Sequence, residues 1–407
     1  MSWAEVAIGD LGRVVTGDTP PRKNPEYYGS AYPFIKPTDM KVGQRFTKDY
    51  EECYSEEGFV KYNKKLIPAG STAVVTIGSI GQKLTLLHAD SFVNQAVNAV
   101  VPNQDRFDSL YVYYLLKHNL SLVKQADTGA SSGRENVSKS NFSALTVWAC
   151  LDLATQKRIA EVLDALDSSI ETNQRRIALL EDGARRLYRE WFVQLRFPGH
   201  ESVRVHDGLP QGWQALALTG VAEFINGFAF KPEHQQDTGL PIVKIPELRD
   251  GVSSKTPRGP GNAVPIRNHI DTGDVLFSWS ATLLVNEWGE GPALLNQHLF
   301  KVVPRNLIHR RLIRFAVEAA IPSLLGQSVG ATMQHIRRSA LDTHLMLVPD
   351  QSVANAFAAL VDPMMDMVLS LKEQNRHLTA ARDMLLPKLM SGQLDVSGIP
   401  LLDEVSA

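Results

Sequence analysis

The chain has 407 residues, 44% of them hydrophobic and 21% charged, which is typical of a folded protein with two or more domains. Its formal net charge is −2, from 42 basic and 44 acidic residues, and this argues against nucleic-acid binding through overall positive charge alone. The two cysteines, Cys53 and Cys150, form neither a CxxC motif nor a secreted disulfide framework. The start lacks a signal-peptide pattern and no 18-residue apolar run occurs, so we expect a cytoplasmic protein.

The first predicted elements belong to a segment that occurs twice. WAEVAIGDLGRVVTG (3–17) aligns without gaps on WQALALTGVAEFING (213–227), at an offset of 210 residues. NQAVNAVVPN (94–103) matches NQHLFKVVPR (296–305) at an offset of 202. The offset only falls along the chain, to 201 at Gly129, as expected if loops were shortened on a shared scaffold. The sequence therefore predicts an internal repeat.

Each copy mixes predicted strands and helices. Short apolar runs such as STAVVTIG (71–78) are bounded by Gly, Pro, Asn and Asp, a pattern that predicts strands. Longer helical segments follow at 109–123 and 307–321, and each copy closes with a polar loop and a short strand, near 145–149 and 345–348. We expect two mixed α/β domains.

A long helix is predicted after each copy. In the first, apolar residues recur at alternating steps of four and three, which is typical of a coiled coil. Its seam positions are Ile159, Leu163, Leu166, Ile170, Asn173, Ile177, Leu180, Ala184, Leu187 and Trp191. The offset of 201 gives a second seam at Leu360, Met364, Met367, Leu371, Gln374, Leu378, Ala381 and Leu385. Asp362-Pro363 predicts a kink in the second helix or a restart with Asp362 as N-cap.

The two polar seam positions suggest how the helices pair. A polar residue in a coiled-coil seam costs stability but fixes register and partner. Antiparallel helices related by a pseudo-twofold axis would place Asn173 beside Gln374, and we predict that these two side chains meet to set the helix register. The alternative is that both lie at a solvated edge of the helix pair.

Motifs of catalysis are absent from the sequence. GSIGQK (78–83) has the wrong spacing for a phosphate-binding loop, and there is no GxGxxG after a strand, no GxSxG and no HExxH. The 11 histidines form no Cys/His pair with metal-ligand spacing. We expect a chain without catalytic or metal-ligating residues, although an enzyme with a dispersed active site stays open at this point.

Polar loops at corresponding places in both copies favour DNA binding, because Arg, Lys, Asn, Gln and Ser are the residue types that contact phosphates and base edges. The candidate DNA-binding residues are Arg22, Lys23, Lys36, Gln82, Lys83, Ser131, Arg134, Asn136, Lys139, Lys231, Ser278, Trp279, Gln334, His335, Arg337 and Arg338. A stretch without acidic residues, FKVVPRNLIHRRLIRF (300–315), also predicts a local basic patch. Any single loop could equally be a solvated turn.

The pairs Asn94-Gln95 and Asn296-Gln297 are interpreted differently. They are the same in both copies, whereas domains that read different sequences should differ in their reading residues. We therefore favour a structural role, in which the side-chain amides satisfy backbone groups where a strand begins.

With these features, the chain resembles the specificity (S) subunit of Type I restriction–modification systems. The resemblance rests on the doubled start, including LPQGW (209–213), on the helix DLATQKRIAEVLDALDSSIETNQRRIALLED (152–182) and on the close of the second helix, RDMLLPKLMSGQLD (382–395). It covers essentially the whole chain. The sequence departs from the family by having CLDLATQ (150–156) and VPDQSVAN (348–355) in place of proline-rich helix entries.

The resemblance implies a mixed α/β fold of two repeated target-recognition domains, each followed by a long helix, with the helices paired as an antiparallel coiled coil of pseudo-twofold symmetry. The predicted segments are target-recognition domain 1 (1–150), a central spacer helix (151–195), target-recognition domain 2 (196–348), a C-terminal spacer helix (349–395) and a tail (396–407).

The resemblance also implies a function. Each domain would read half of a bipartite site in double-stranded DNA, and the helices would set the gap between the halves. The helices would dock two adenine-methylating (M) subunits and, in complete systems, two motor–nuclease (R) subunits. S-adenosylmethionine, ATP and Mg²⁺ would then belong to those partners, and this chain would bind no cofactor.

Two other functions stay open at the level of sequence. A scaffold in which a coiled coil joins two protein-binding domains fits the repeat equally well, although loops rich in Arg, Asn and Gln favour DNA. A specificity subunit of a methylation-only system, without a nuclease, would differ only in its partner chains.

Overall fold

The structure is a computed structural model that describes residues 3–127, 135–305, 308–326, 336–396 and 398. Its contacts divide the chain into unit 1, Met1–Glu171 with His377–Ala407, and unit 2, Thr172–Arg376. Unit 1 thus combines two segments that are far apart in sequence, whereas unit 2 is one continuous segment. A mixed α/β fold with long helices, as predicted, is confirmed.

The described part of unit 1 is built on two four-stranded sheets and a strand pair. Its strands are β1 (Trp3–Ala7), β2 (Gly12–Thr16), β3 (Tyr28–Gly29), β4 (Tyr32–Ile35), β5 (Glu52–Tyr54), β6 (Thr72–Val75), β7 (Leu84–Leu86), β8 (Phe92–Val93), β9 (Val97–Pro102) and β10 (Thr146–Cys150). β1 pairs antiparallel with β10, from Trp3↔Cys150 to Ala7↔Thr146. One sheet has the antiparallel order β2-β9-β6-β7, and the other has the order β3-β5-β4-β8, in which β4 and β8 are parallel.

Helices cover the sheets of unit 1. They are α1 (Glu56–Tyr62), α2 (Ser109–His118), α3 (Leu120–Gln125), α4 (Lys139–Ala144) and the first part of α5 (Leu153–Tyr188). The Asp108 carboxylate caps α2 by accepting a hydrogen bond from the Tyr111 backbone N–H. The predicted helix over 109–123 is divided at Asn119, whose side-chain amide donates to the Leu115 carbonyl and closes α2.

Unit 2 repeats the strand pair, the order of the first sheet and the parallel pair of the second sheet, whereas the other strands of its second sheet are placed differently. Its strands are β11 (Val205–His206), β12 (Leu209–Pro210), β13 (Gln214–Ala217), β14 (Ala222–Asn226), β15 (Leu240–Val243), β16 (Arg258–Gly259), β17 (His269–Ile270), β18 (Val275–Ser278), β19 (Leu284–Glu287), β20 (Ala293–Leu295), β21 (Leu299–Pro304) and β22 (Leu345–Val348). β13 pairs with β22, the first sheet is β14-β21-β18-β19, and the second is β16-β15-β20-β17 with a parallel β15–β20 pair. Its helices are α6 (Leu218–Val221), α7 (Ile245–Asp250), α8 (Arg310–Gly326), α9 (Arg338–Thr343) and most of α10 (Gln351–Met390).

Two matched glycines explain part of the sequence repeat. A Cβ added to Gly17 would lie 2.0 Å from the Val93 carbonyl oxygen, and one added to Gly227 would lie 2.1 Å from the Asn296 carbonyl oxygen. Any side chain would therefore collide with backbone at both places. The two sheets need the same residue because the same close approach of two chain segments occurs in each unit.

The first predicted seam is confirmed. On α5, Ile159, Leu163, Ile170, Asn173 and Ala184 are buried. The remaining seam positions are half-buried or buried: Leu166, Ile177, Leu180, Leu187 and Trp191. A stripe of this period on one helix face requires a partner along its length, and in each unit that partner includes α10.

The second predicted seam is wrong at three positions. Leu360 is 48% exposed, Met367 is 42% exposed and Gln374 is exposed, whereas Phe357, Val361 and Val368 are buried. The shift arises because the repeat offset falls further before the helices begin. Asp152 accepts from the Thr155 N–H at the start of α5 and Asp350 accepts from the Val353 N–H at the start of α10, which is an offset of 198 rather than 201.

Asn173 consequently meets a neighbour of the predicted partner. Its side-chain amide donates to the Asn375 side-chain oxygen at 3.1 Å, whereas the Gln374 amide lies 3.5 Å from the Ser370 hydroxyl of its own helix. The predicted contact of Asn173 with Gln374 is therefore wrong by one residue. Polar pairing across the seam is present, and within unit 2 the helix segments run antiparallel, since Tyr188 packs on Phe357.

The helix α10 continues through Asp362-Pro363, so the predicted restart with Asp362 as N-cap is wrong, whereas the predicted kink stays a prediction. The buried residues Val361 and Met365 anchor it on both sides of the proline. By its length and by an 18-residue stretch with a mean hydropathy of 1.3, α10 could also cross a membrane. Its acidic residues Asp362 and Asp366 form ion pairs with Arg311 inside unit 2, so it is better explained as a core helix of a folded domain.

Candidate nucleic-acid interface

In unit 1 the predicted polar loops meet at the end of β6. The segment after β6 pairs with the segment before α4: Ile77 forms an antiparallel bridge with Asn136, and the Gly78 N–H donates to the Glu135 carbonyl at 3.1 Å. The Asn136 N–H donates to the Asp127 carboxylate at 2.9 Å, which brings both ends of the 128–134 segment together. We name residues 22–23, 36–37, 76–83 and 135–139 loop cluster 1.

Three predicted cations of loop cluster 1 are linked through Glu52 and Pro37. Arg22 and Lys36 both bind the Glu52 carboxylate, with distances of 3.1 Å from Arg22 Nη2 and 3.3 Å from Lys36 Nζ. Lys83 donates to the Pro37 carbonyl at 2.8 Å. The hydrogen bond from Arg22, with the help of Lys36, lowers the pKa of Glu52. These cations are therefore held by the protein, and only Arg22, which is 67% exposed, offers most of its side chain to solvent.

Unit 2 builds the corresponding surface from different residues. The loop after β18 meets the segment before α9, where the Ile336 N–H donates to the Trp279 carbonyl at 3.0 Å. The Trp279 indole N–H donates to the Gln297 carbonyl at 3.1 Å and its ring packs on His298. Ala281 has a φ of 57°, a left-handed conformation that costs energy for a residue with a side chain and is often found at functional loops. We name residues 279–283 and 336–338 loop cluster 2.

The other predicted DNA-binding residues are exposed where the structure describes them. These are Lys23, Gln82, Lys139, Lys231, Arg337 and Arg338. Lys139 and Arg338 are each the first residue of a six-residue helix, α4 and α9, which confirms the expected match between these segments. Ser131, Arg134, Gln334 and His335 lie outside the described residues, so their placement stays a prediction.

Ser278 requires a correction. Its side chain is fully buried, and its hydroxyl donates to the Thr282 carbonyl at 2.8 Å. The hydroxyl therefore closes the turn that follows β18 and is not presented to a ligand. Ser278 shapes loop cluster 2 from inside, whereas the exposed candidates of that cluster are its neighbours.

The basic patch predicted over 300–315 is also wrong. Arg311 and Arg314 are each 1% exposed, Arg311 and Arg310 pair with Glu287, and Lys301 pairs with Asp274 at 2.8 Å. Acidic residues from other elements thus neutralise a stretch that contains none in its own sequence. Most of this positive charge serves the interior of unit 2 and is unavailable for DNA.

The structural role predicted for the two Asn-Gln pairs is confirmed for the asparagines. The Asn94 side-chain oxygen accepts from the Ala96 N–H at 3.0 Å, and that of Asn296 accepts from the His298 N–H at 3.3 Å. Both hydrogen bonds reach two residues ahead and form the turn that leads into the next strand. The Asn-Gln pair occurs in both copies because both copies form the same turn before the strand.

Sequence reasoning missed the residues that fasten each sheet region to a long helix. Arg45 is 7% exposed and binds three residues of α5. Arg311 similarly binds α10. The sequence carries no local signal for either contact, because the acidic partners lie more than 50 residues away.

The described residues contain no group of three or more His, Cys, Asp or Glu side chains placed to hold a metal ion. Both loop clusters offer hydrogen-bond donors at the end of a sheet strand, and loop cluster 2 adds the aromatic ring of Trp279. Such an arrangement can bind and discriminate a polar surface.

Comparisons with known proteins give this surface a context. A family model described as "Type I restriction modification DNA specificity domain" matches residues 1–182. The chain is 23% identical to the Type I restriction enzyme MjaIX specificity subunit of Methanocaldococcus jannaschii, over 97% of this chain and 94% of that protein. It is 30% identical to the HindI specificity subunit of Haemophilus influenzae, over 42% of this chain and 38% of that one. The fold is similar to that of the S subunit of a Type I restriction–modification system from M. genitalium, with a TM-score of 0.60, 15% identity and coverage of 95% and 96%.

Proposed function

We propose that this chain is a specificity subunit of a Type I restriction–modification system, which recognises DNA sequence and is not itself catalytic. It reads a bipartite site in double-stranded DNA, one half-site with each loop cluster. The observation that carries the proposal is that the two clusters share a framework and differ in side chains. Ile77 pairs with Asn136 in one, and Trp279 with Ile336 in the other.

The chemistry of the clusters suits readout in the major groove. Base pairs can be told apart there by their donor and acceptor patterns, and a good bidentate contact is worth about 1–3 kcal/mol. Arg337 and Arg338 in cluster 2 and Lys139 and Gln82 in cluster 1 are exposed donors on short, anchored segments. Two half-sites bound by one chain make the second binding event intramolecular, which multiplies selectivity without new contacts.

The long helices complete the proposed architecture. We assign residues 1–150 and 196–348 to two repeated target-recognition domains, and 151–195 and 349–395 to spacer helices that pair as an antiparallel coiled coil with pseudo-twofold symmetry. The recurring strand pair and first sheet, the matched glycines and the Asn173–Asn375 hydrogen bond support this assignment. The helices would then set the gap between half-sites.

Partner subunits would supply the catalysis. We propose two DNA-methyltransferase subunits that bind S-adenosylmethionine and modify adenine, and in a complete system two motor–nuclease subunits that use ATP and Mg²⁺. The complex would act on DNA in the cytoplasm. The chain itself is expected to contribute recognition and a docking surface.

The exposed side of α10 is the proposed docking surface for a methyltransferase subunit. Leu360 and Met367, seven residues apart, leave 48% and 42% of their area exposed although both are apolar. Replacing both by glutamate should abolish co-purification with the methyltransferase subunit and leave the fold intact, because neither side chain belongs to the buried seam. Ala359→Glu, which adds a charge at a neighbouring exposed position, is the matched control. Normal complex formation by the Leu360→Glu/Met367→Glu variant would contradict this docking surface.

The experiment that tests the function is long-read detection of modified adenines in host DNA with and without the gene. We expect one bipartite motif to lose its methylation completely on deletion and to regain it on complementation. An unchanged methylome, in cells shown to contain this protein and its methyltransferase, would contradict DNA specificity. A scaffold that joins two protein-binding domains would then be the better explanation.

A further inference from the structure

Unit 1 contains a buried arginine that joins the sheet region to α5. Arg45, on the loop between β4 and β5, donates from Nε and Nη2 to both carboxylate oxygens of Glu171, at 2.9 and 3.1 Å. It also binds the Ser168 hydroxyl at 3.1 Å and the Asp164 carboxylate. These acceptors follow the helical spacing i, i+4, i+7 and so form one stripe on α5. We name Arg45, Asp164, Ser168 and Glu171 ion-pair cluster 1.

Ion-pair cluster 1 is rigid at both ends. The Arg45 carbonyl accepts from the Leu86 N–H at 2.8 Å and from the Thr85 hydroxyl at 3.1 Å, so the loop is fixed to β7. Burial by itself lowers the pKa of Arg45, but the hydrogen bond to Glu171 and the charge of Asp164 outweigh it and raise the pKa. The planar guanidinium binds acceptors on three residues of α5. The contact therefore fixes the angle between the loop and the helix as well as the distance between them.

Unit 2 has a comparable contact made by residues at other positions of the repeat. Arg311, on α8, donates to both Glu287 oxygens at 3.1 and 3.0 Å and reaches Asp362 and Asp366 of α10 at 3.2 and 2.6 Å. By the repeat offset, Arg311 corresponds to the segment SLYV (109–112) of the first copy, which contains no Lys or Arg. We name Arg311, Glu287, Asp362 and Asp366 ion-pair cluster 2.

Inheritance from one ancestral copy does not explain these two clusters, since they use non-equivalent residues. A gain in stability is also a weak explanation, because the desolvation of buried charges offsets much of their attraction. Both clusters fix an orientation. Each joins the sheet region of its unit to one long helix, α5 in unit 1 and α10 in unit 2, and so sets the angle between the sheet region and that helix. A fixed angle between the sheet region and the helix matters only if the loop clusters at the sheet edge must be placed accurately.

We propose that Arg45 and Arg311 are positioning residues that fix how each recognition domain is presented on its spacer helix, and that they thereby determine how strictly the gap between half-sites is selected. The proposal rests on the bipartite reading proposed above. Neither residue touches DNA in this scheme. Loosening either cluster leaves the half-site sequences unchanged and widens the range of gaps that are accepted.

The test uses the complete methyltransferase complex and a DNA library in which both half-sites are constant and the gap varies by single base pairs. In the Arg45→Met complex, methylation at gaps one base pair longer or shorter than the wild-type gap should rise roughly fivefold or more relative to the wild-type gap. Arg13→Met, the same change at an exposed arginine of β2, is the control and should keep the wild-type gap profile.

A second variant distinguishes a loosened ion-pair cluster 1 from a folding defect caused by Arg45→Met. Asp164→Asn/Glu171→Gln removes the acceptor charges at side chains that are 36% exposed but leaves amide oxygens that can still accept hydrogen bonds from the buried Arg45 guanidinium, so it weakens the cluster without leaving that cation unbonded and should broaden the gap profile in the same way. An unchanged profile in both variants, or a change in half-site sequence with Arg45→Met, overturns the inference. If the wild-type complex shows no bipartite motif at all, the proposed function fails instead.

Discussion

Replacing Arg311 by methionine is expected to lower the free energy of unfolding of unit 2 by about 3–5 kcal/mol. The Arg311 and Glu287 side chains are each 1% exposed, so removal of the guanidinium leaves a buried carboxylate without its buried partner, and the 3.3 Å contact from the half-exposed Arg310 compensates only in part. The acidic partners on α10 suffer less, since Asp362 is 34% and Asp366 is 66% exposed. The large effect therefore comes mainly from Glu287 and not from the number of ion pairs broken.

The neighbouring residue supplies a matched control. Arg310 binds the same carboxylate at 3.3 Å but is 44% exposed, so Arg310→Met should cost no more than about 1 kcal/mol. Adding Glu287→Gln to Arg311→Met should recover a large part of the loss, because no buried charge is left unpaired. Chemical denaturation followed by tryptophan fluorescence measures all three variants. Equal midpoints for Arg311→Met and the wild type would show that the buried pair is not needed for folding.

Tryptophan positions make this measurement informative about unit 2. Four of the six tryptophans belong to unit 2, namely Trp191, Trp213, Trp279 and Trp288. Trp288 is 3% exposed and its indole N–H donates to the Gly291 carbonyl, close to the end of β19 where Glu287 lies. Its emission should therefore report the loss of packing around ion-pair cluster 2 directly.

The sheets could be predicted from the sequence because their signals are local and appear twice. Turn residues bound each apolar run, and glycines such as Gly17 and Gly227 mark the same close backbone approach in both copies. The first coiled-coil seam was predictable for the same reason, since the steps of four and three can be counted on one helix. Agreement between local pattern and repeat is what made these predictions secure.

The second seam could not be transferred from the repeat alone. The offset falls from 201 at Gly129 to 199 at the starts of α4 and α9 and to 198 at the helix caps, so an offset of 201 misplaces the seam by three residues, which is about 300° of helix rotation. This placed Leu360 and Met367 inside and missed Phe357 and Val361. The capping aspartates, Asp152 and Asp350, were the better alignment marks, because a helix N-terminus fixes register through its own hydrogen bonds.

The candidate site was predictable as loops and only partly as residues. Exposed donors such as Lys139 and Arg338 follow from their position at a helix start. Ser278 could not be excluded from the sequence, because the burial of its hydroxyl depends on the turn that folds over it. The charge of 300–315 failed as a prediction because its acidic partners come from β19 and α10, and pairing of this kind is set by tertiary structure.

Lengthening both spacer helices by four residues is expected to increase the preferred gap by about two base pairs and to leave both half-sites unchanged. Four helical residues add about 6 Å, and B-DNA rises about 3.4 Å per base pair. The insertions belong between Glu171 and Thr172 in α5 and between Arg376 and His377 in α10, where the chain passes from one unit to the other. Long-read mapping of modified adenines reads the new gap directly.

These insertion points keep the contacts inside each unit. In unit 1 the contacts of Arg45 with Glu171 and of Arg382 with Asp167 are retained. In unit 2 the hydrogen bond from Asn173 to Asn375 is retained. A four-residue insertion after Gly208, in the turn between β11 and β12, adds the same length outside the helices and should leave the gap as it was. Retention of the wild-type gap after insertion in both helices would mean that something other than α5 and α10, such as the partner subunits, measures the distance between half-sites. A gap that follows helix length, with constant half-sites, would instead place the measurement in this chain and the reading in its loops.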